Sequence, residues 1–192
     1  MSRKAFTLVE LLVVVAISAL LSTLAITYSS VGRNAVSLSV ESAKIAEFIL
    51  QAKQLSISTY TGASLSCGYG VVFNIAAQTY SIFAYAPSGV FSCRQLPASS
   101  IGSRGIGSGE EQLYTPGTWR VHLSSGVVLR SPSPQVNNLV TVLFYPPAPT
   151  VFLSNDGMAF ASTTATLTVN LVTADGKNSA VISVNPEGQV NF

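Results

Sequence analysis

The chain has 192 residues and a formal net charge of +2; 48% of its residues are hydrophobic and only 9% are charged. Ordinary soluble domains carry about 25% charged residues, so part of this surface is destined for lipid or for other protein. From Asn34 onward seven Lys/Arg are matched by seven Asp/Glu, which leaves no electrostatic footprint for nucleic acid and disfavours DNA binding through a basic stripe.

Arg3 and Lys4 open the chain, and an apolar run follows in which Glu10 is embedded. Leu11 to Gly32 carries no charge over 22 residues. As a helix this run spans about 33 Å at 1.5 Å per residue, enough for a bilayer core of about 30 Å. The basic pair favours a cytoplasmic N-terminus and places the bulk of the chain outside. A cleavable secretory signal has a shorter apolar core followed by a small-residue site; Ser18 to Ser22 offers only a weak one. Glu10 is the unusual feature, because a lone charge at this depth costs roughly 3 kcal/mol on insertion scales. No partner within a turn or two suggests itself, so the expected partner lies on another copy.

The stretch Lys4-Ala5-Phe6-Thr7-Leu8-Val9-Glu10-Leu11-Leu12-Val13-Val14 resembles the class III signal of type IV pilins and type II secretion pseudopilins. The resemblance implies a prepilin peptidase that cuts between Ala5 and Phe6 and methylates the new N-terminus at Phe6. It also implies that Glu10 is the acid used in assembly. The family usually has Gly where this chain has Ala5. Residues 1–5 would be a cytoplasmic leader, 6–32 the transmembrane and assembly helix, and 33–192 an amphipathic helix plus an extracytoplasmic β-rich domain. The implied partners are the peptidase, other pilin or pseudopilin subunits, and an inner-membrane assembly platform. The implied location is a single-pass inner membrane protein that passes into a pilus or pseudopilus. Cutting before Phe6 creates an ammonium four residues from Glu10, and an opposite charge nearby favours both ionised forms. In a filament, Glu10 of one subunit would meet the terminal ammonium of a neighbour.

Past Ala25, Ile26-Thr27-Tyr28-Ser29-Ser30-Val31-Gly32 weakens a helix outside lipid, and a bend or a locally melted stretch near Gly32 is expected. Periodicity then returns. Leu38, Ile45, Phe48, Ile49, Ala52 and Leu55 form one apolar stripe suited to packing on a sheet. Glu41, Lys44, Glu47, Gln51 and Lys53 lie mostly off it, with Glu41/Lys44 and Lys44/Glu47 reading as a solvated face.

The remainder reads as strands and turns. Tyr69 to Ile75 and Thr79 to Tyr85 suggest a hairpin. Pro97 to Gly117 is rich in Gly and Ser and reads as a long loop. Its Gly residues do not follow a strand and open a helix, so they form no phosphate cradle. Further strands are expected at Trp119 to Leu123, Val127 to Arg130, Leu139 to Tyr145 and Thr150 to Leu153, with a turn at Ser125-Gly126. Asn155-Asp156-Gly157 signals another turn. Thr164 to Val172 alternates as a half-buried strand, and Ala174 to Asn178 turns it into Ala180 to Val184. Pro186-Glu187-Gly188 leads to a last strand at Gln189 to Phe192. The two cysteines, Cys67 and Cys93, suit a single disulfide in an oxidising compartment; two buried thiols are the other reading.

The fold class expected is α+β: a long N-terminal helix packed on an antiparallel β-sheet or two-sheet sandwich. Val151 to Gly157 and Ile182 to Val190 make the tail similar to the GspH/FimT-type minor pseudopilins, which implies a minor subunit. Nothing points to catalysis. His122 stands alone in a predicted strand, Glu110-Glu111 lies in the Gly-rich loop, and no nucleophile elbow occurs. Neither a metal nor a cofactor is expected. The competing reading is a membrane-anchored β-domain that binds an envelope partner without polymerising.

Overall fold

The computed structural model describes residues 7–59, 66–85, 111–113, 120–131, 138–146, 150–156 and 165–192. Its first element is a single helix, α1 (Leu8–Thr59), of 52 residues, about 78 Å long at 1.5 Å per residue. No melted stretch interrupts it near Gly32. The weak helix formers there lie between two strongly helical segments, and propagation through them needs no new nucleus.

Among the described residues ten strands follow: β1 (Gly68–Asn74), β2 (Thr79–Tyr85), β3 (Glu111–Leu113), β4 (Arg120–His122), β5 (Val127–Arg130), β6 (Thr141–Tyr145), β7 (Thr150–Ser154), β8 (Leu167–Thr173), β9 (Ser179–Val184) and β10 (Val190–Asn191). One sheet has the order β3-β2-β1-β6-β7, with β4 also paired to β2; the other has the order β10-β9-β8-β5. Every strand pairing is antiparallel, so the expected α+β class and its two sheets are both present. The hairpin β1–β2 sets Val71 opposite Ile82, and β8–β9 sets Val169 opposite Ile182.

Strand alternation makes the core. Along β8, Leu167, Val169, Leu171 and Thr173 are buried and the residues between them half-buried, as a strand with one solvated face requires. The helix stripe meets these inner faces: Leu38, Ile45, Ile49 and Ala52 are buried with Val71, Phe144, Val169 and Ile182, while Phe48 and Leu55 pack at the margin. Phe48 meets the Tyr80 ring edge-on at 5.1 Å, a favoured aromatic geometry. Ser56, also buried, donates to the Phe144 carbonyl at 2.7 Å. Gly70 is required here, because a Cβ would run into the Val142 carbonyl and the Phe83 ring.

Two further expectations need correction. Glu41 is not on a solvated face but buried, because its turn of α1 faces the β4–β5 link. The expected loop 97–117 contains a short strand, β3, which continues the pairing of β2 through Phe83↔Leu113; the rest of that loop lies outside the described residues. The turn expected at Ser125-Gly126 is present. It passes the chain between sheets, β4 pairing with β2 and β5 with β8, and Gly126 takes the left-handed φ of 99° that this turn needs.

Candidate functional site

Thr7 and Glu10 build the start of α1. The Thr7 amide and hydroxyl both donate to Glu10 Oε2 at 3.0 Å, and the Glu10 amide donates back to Thr7 Oγ1 at 3.3 Å. This reciprocal pattern is a capping box, which satisfies donors that an N-terminal turn otherwise leaves orphaned. Glu10 therefore has a local partner, contrary to the expectation from sequence. Oε1 takes part in none of these bonds, and the residue is exposed.

Beyond the cap, α1 presents apolar side chains on every side. Leu8, Val9, Leu11, Leu12, Val14 and Val15 are each more than half exposed, and the pattern runs on to Leu24. A continuous apolar surface of this size marks a lipid or protein interface. The hydroxyls within it are turned onto the helix itself: Ser18 donates to the Val14 carbonyl and Ser22 to the Ser18 carbonyl, each at 2.7 Å. That is how polar groups are satisfied where no water is available. Among the described residues no helix is long and apolar enough to cross a membrane. The stretch Leu8 to Leu24, whose side chains are described, covers only about 26 Å at 1.5 Å per residue.

Ala5, Phe6 and Cys93 lie outside the described residues. Cys67 is buried at the entry to β1 and is not a free thiol. His122 is exposed on β4. Asp175 is held in its own turn, accepting from Thr173 Oγ1 at 2.5 Å, the Lys177 amide at 3.2 Å and Asn34 Nδ2 of α1 at 3.3 Å. These donors, the Thr173 hydroxyl foremost, hold its carboxyl below the usual range.

Two polar anchors, one buried and one half-buried, fix α1 and the hairpin to the second sheet. Glu41 Oε1 accepts from Ser124 Oγ and from Lys44 Nζ, the latter at 2.9 Å, while Glu41 Oε2 has no hydrogen-bond partner among the described residues. Tyr80, buried beside it, is pushed up to about 12 by desolvation first and the Glu41 charge second. Gln78, with a left-handed φ of 53°, reaches β5: its Nε2 donates to the Leu129 carbonyl at 3.1 Å, and the Leu129 amide donates to its Oε1 at 2.6 Å. One side-chain amide thus serves as an extra rung on the edge of the second sheet. Sequence reading missed both anchors.

Residues 1–26 match the family model of the prokaryotic N-terminal methylation motif, which bears out the resemblance read from Lys4 to Val14. Comparison with curated proteins finds no match. Among solved structures, the chain is similar to the minor pseudopilin EpsH from the type 2 secretion system of Vibrio cholerae. That likeness has 11% sequence identity, covers 81% of this chain and 94% of the other, and has a TM-score of 0.44. It is too slight to carry a functional assignment.

Proposed function

We propose that this chain is a structural subunit, of minor type, of a type IV pilin-like or type II secretion filament. The observation that carries the proposal is the methylation motif over residues 1–26 continued by a capped helix with apolar side chains exposed all round. In this reading a prepilin peptidase cuts between Ala5 and Phe6 and methylates Phe6. Residues 6–32 then hold the subunit in the inner membrane, and 33–192 stand outside it. A Cys67–Cys93 disulfide closes the outer domain.

The chemistry of assembly follows from the cap. While the subunit waits in lipid, Thr7 supplies hydrogen bonds to Glu10 and lowers the cost of its charge. On an assembly platform, Glu10 Oε1 accepts the methylated ammonium of a neighbour, and the pair fixes register in a low-dielectric setting where it is strongest. Glu10→Leu is the test. The variant should be processed and inserted normally, yet be depleted at least tenfold from filaments sheared off the cell. Wild-type incorporation would remove Glu10 from assembly.

A further inference from the structure

The turn between β8 and β9 stands beside α1 just past the end of the charge-free run. Asn34 Nδ2 donates to Asp175 Oδ2 at 3.3 Å, and Arg33 is the first charge after Leu11–Gly32. Beyond the other end of β9, Lys53 Nζ donates to the Gly188 carbonyl at 3.3 Å. Asn34 and Lys53 are 19 positions apart, about 28 Å of helix at 1.5 Å per residue. β9 therefore runs along α1, with its β8 turn at the end nearer the apolar segment and its β10 turn far from it.

The helix sets the height of that turn. A bilayer has a hydrocarbon core of about 30 Å and a full thickness of about 40–45 Å, which leaves about 5–8 Å of head groups on each side. With Leu11–Gly32 in the core, Asn34 lies about 3 Å beyond Gly32 along the axis. The turn bonded to Asn34 is thus carried at the level of the head groups.

The charges of the turn suit that layer. Ala174, Asp175, Gly176 and Lys177 are exposed, and so is Arg33. The Asp175 carboxylate is engaged inside the structure by Thr173 Oγ1, the Lys177 amide and Asn34 Nδ2. Arg33 and Lys177 form no ion pair among the described residues. Two cations are left to face the surface, while the one acid beside them already has its donors. A guanidinium meets a phosphate with paired hydrogen bonds, and an ammonium meets it as a compact point charge.

We propose that the β8–β9 turn is a membrane-surface contact, in which Arg33 and Lys177 bind head-group phosphates of the bilayer that holds α1 and Asp175 keeps the turn at that height through Asn34. This inference rests on the reading that residues 6–32 hold the chain in the membrane, and it adds how the outer domain is seated on lipid. The contact steadies the domain against the bilayer and is given up when the subunit is withdrawn.

Photo-crosslinking of the full-length chain in vesicles of phosphatidylglycerol and phosphatidylcholine tests it. Benzoylphenylalanine is placed singly at Ala174 in the turn, at Val13 in the apolar run and at Glu187 beyond the far end of β9, all exposed positions, and lipid adducts are read by mass. Val13 and Ala174 should both yield lipid adducts, and Glu187 almost none. Arg33→Gln with Lys177→Gln should cut the Ala174 yield roughly fivefold or more, as expected for two cations lost near an anionic surface, and leave the Val13 yield unchanged. Arg33→Lys with Lys177→Arg should keep both yields. Adducts at Val13 with none at Ala174, or equal yields at Ala174 and Glu187, overturn the contact and leave the membrane reading standing. An Ala174 yield unmoved by the two Gln substitutions also overturns it, because proximity alone would then account for the adducts. No adducts at Val13 would remove the membrane reading and the contact together.

Discussion

Thr7 and Glu10 satisfy one another across the first turn of α1, each side chain bonded to the other's backbone amide. The acid that sequence leaves stranded in an apolar run is thereby a helix-capping residue before it is anything else. Thr7→Ala should fray this turn, since a capping hydroxyl has no apolar substitute. Amide exchange at Glu10 and Leu11 in detergent micelles should speed by several-fold, and Thr7→Ser should restore it. Unchanged exchange in Thr7→Ala would show that the cap contributes nothing.

Gln78 and Leu129 give the second prediction. Gln78→Leu removes the amide that pairs both backbone groups of Leu129 and leaves them to find other partners. The expected loss is about 2 kcal/mol, in line with two half-buried hydrogen bonds left unmade. Gln78→Asn keeps the preference for a left-handed backbone but is one methylene too short to reach β5, and should lose nearly as much. Chemical denaturation of each variant measures this. An Asn variant as stable as wild type would mean that backbone conformation, not the bridge, is what matters at this position.

Tyr80 sets a pH dependence. Its folded pKa is raised to about 12, above the ordinary value near 10. The folded state therefore holds the phenol proton where the unfolded state releases it. Stability from this group is complete below pH 10 and falls as pH rises from about 10 to 12. Glu41→Gln should shift the Tyr80 midpoint down, but not fully to the ordinary value, because burial is the larger cause. Absorbance titration of the phenolate reads the midpoint. A midpoint unmoved in Glu41→Gln would mean that the Glu41 charge is not felt at Tyr80.

The cysteines provide a covalent check. Cys67 is not a free thiol, and the sequence contains only one other cysteine, Cys93. Alkylation of the unfolded, unreduced monomer should add nothing, and alkylation after reduction should add two groups. Two adducts without reduction would exclude the disulfide.

Much of this was legible in the residues. The apolar stripe from Leu38 to Leu55, the β1–β2 hairpin and the alternation of β8 are periodic signals, and periodicity reports burial directly. The Thr7-Leu8-Val9-Glu10 spacing is itself a capping-box pattern before an apolar run, so the Thr7 partner could have been read as well. Glu41 and Gln78 were not readable in this way. Each is polar, and each acts on a segment distant in sequence: Ser124 for Glu41 and Leu129 for Gln78. No local pattern encodes which strand will arrive there. The helix runs unbroken through Gly32 because cooperativity on either side outweighs one residue's weak propensity.

The central claim is that proteolysis before Phe6 creates the charge that Glu10 is placed to receive. The intact mass of the full-length chain after co-expression with a prepilin peptidase tests it most directly. Loss of residues 1–5 and gain of one methyl group are the expected result. A chain that keeps all five residues, in the presence of a peptidase active on a control substrate, would contradict it.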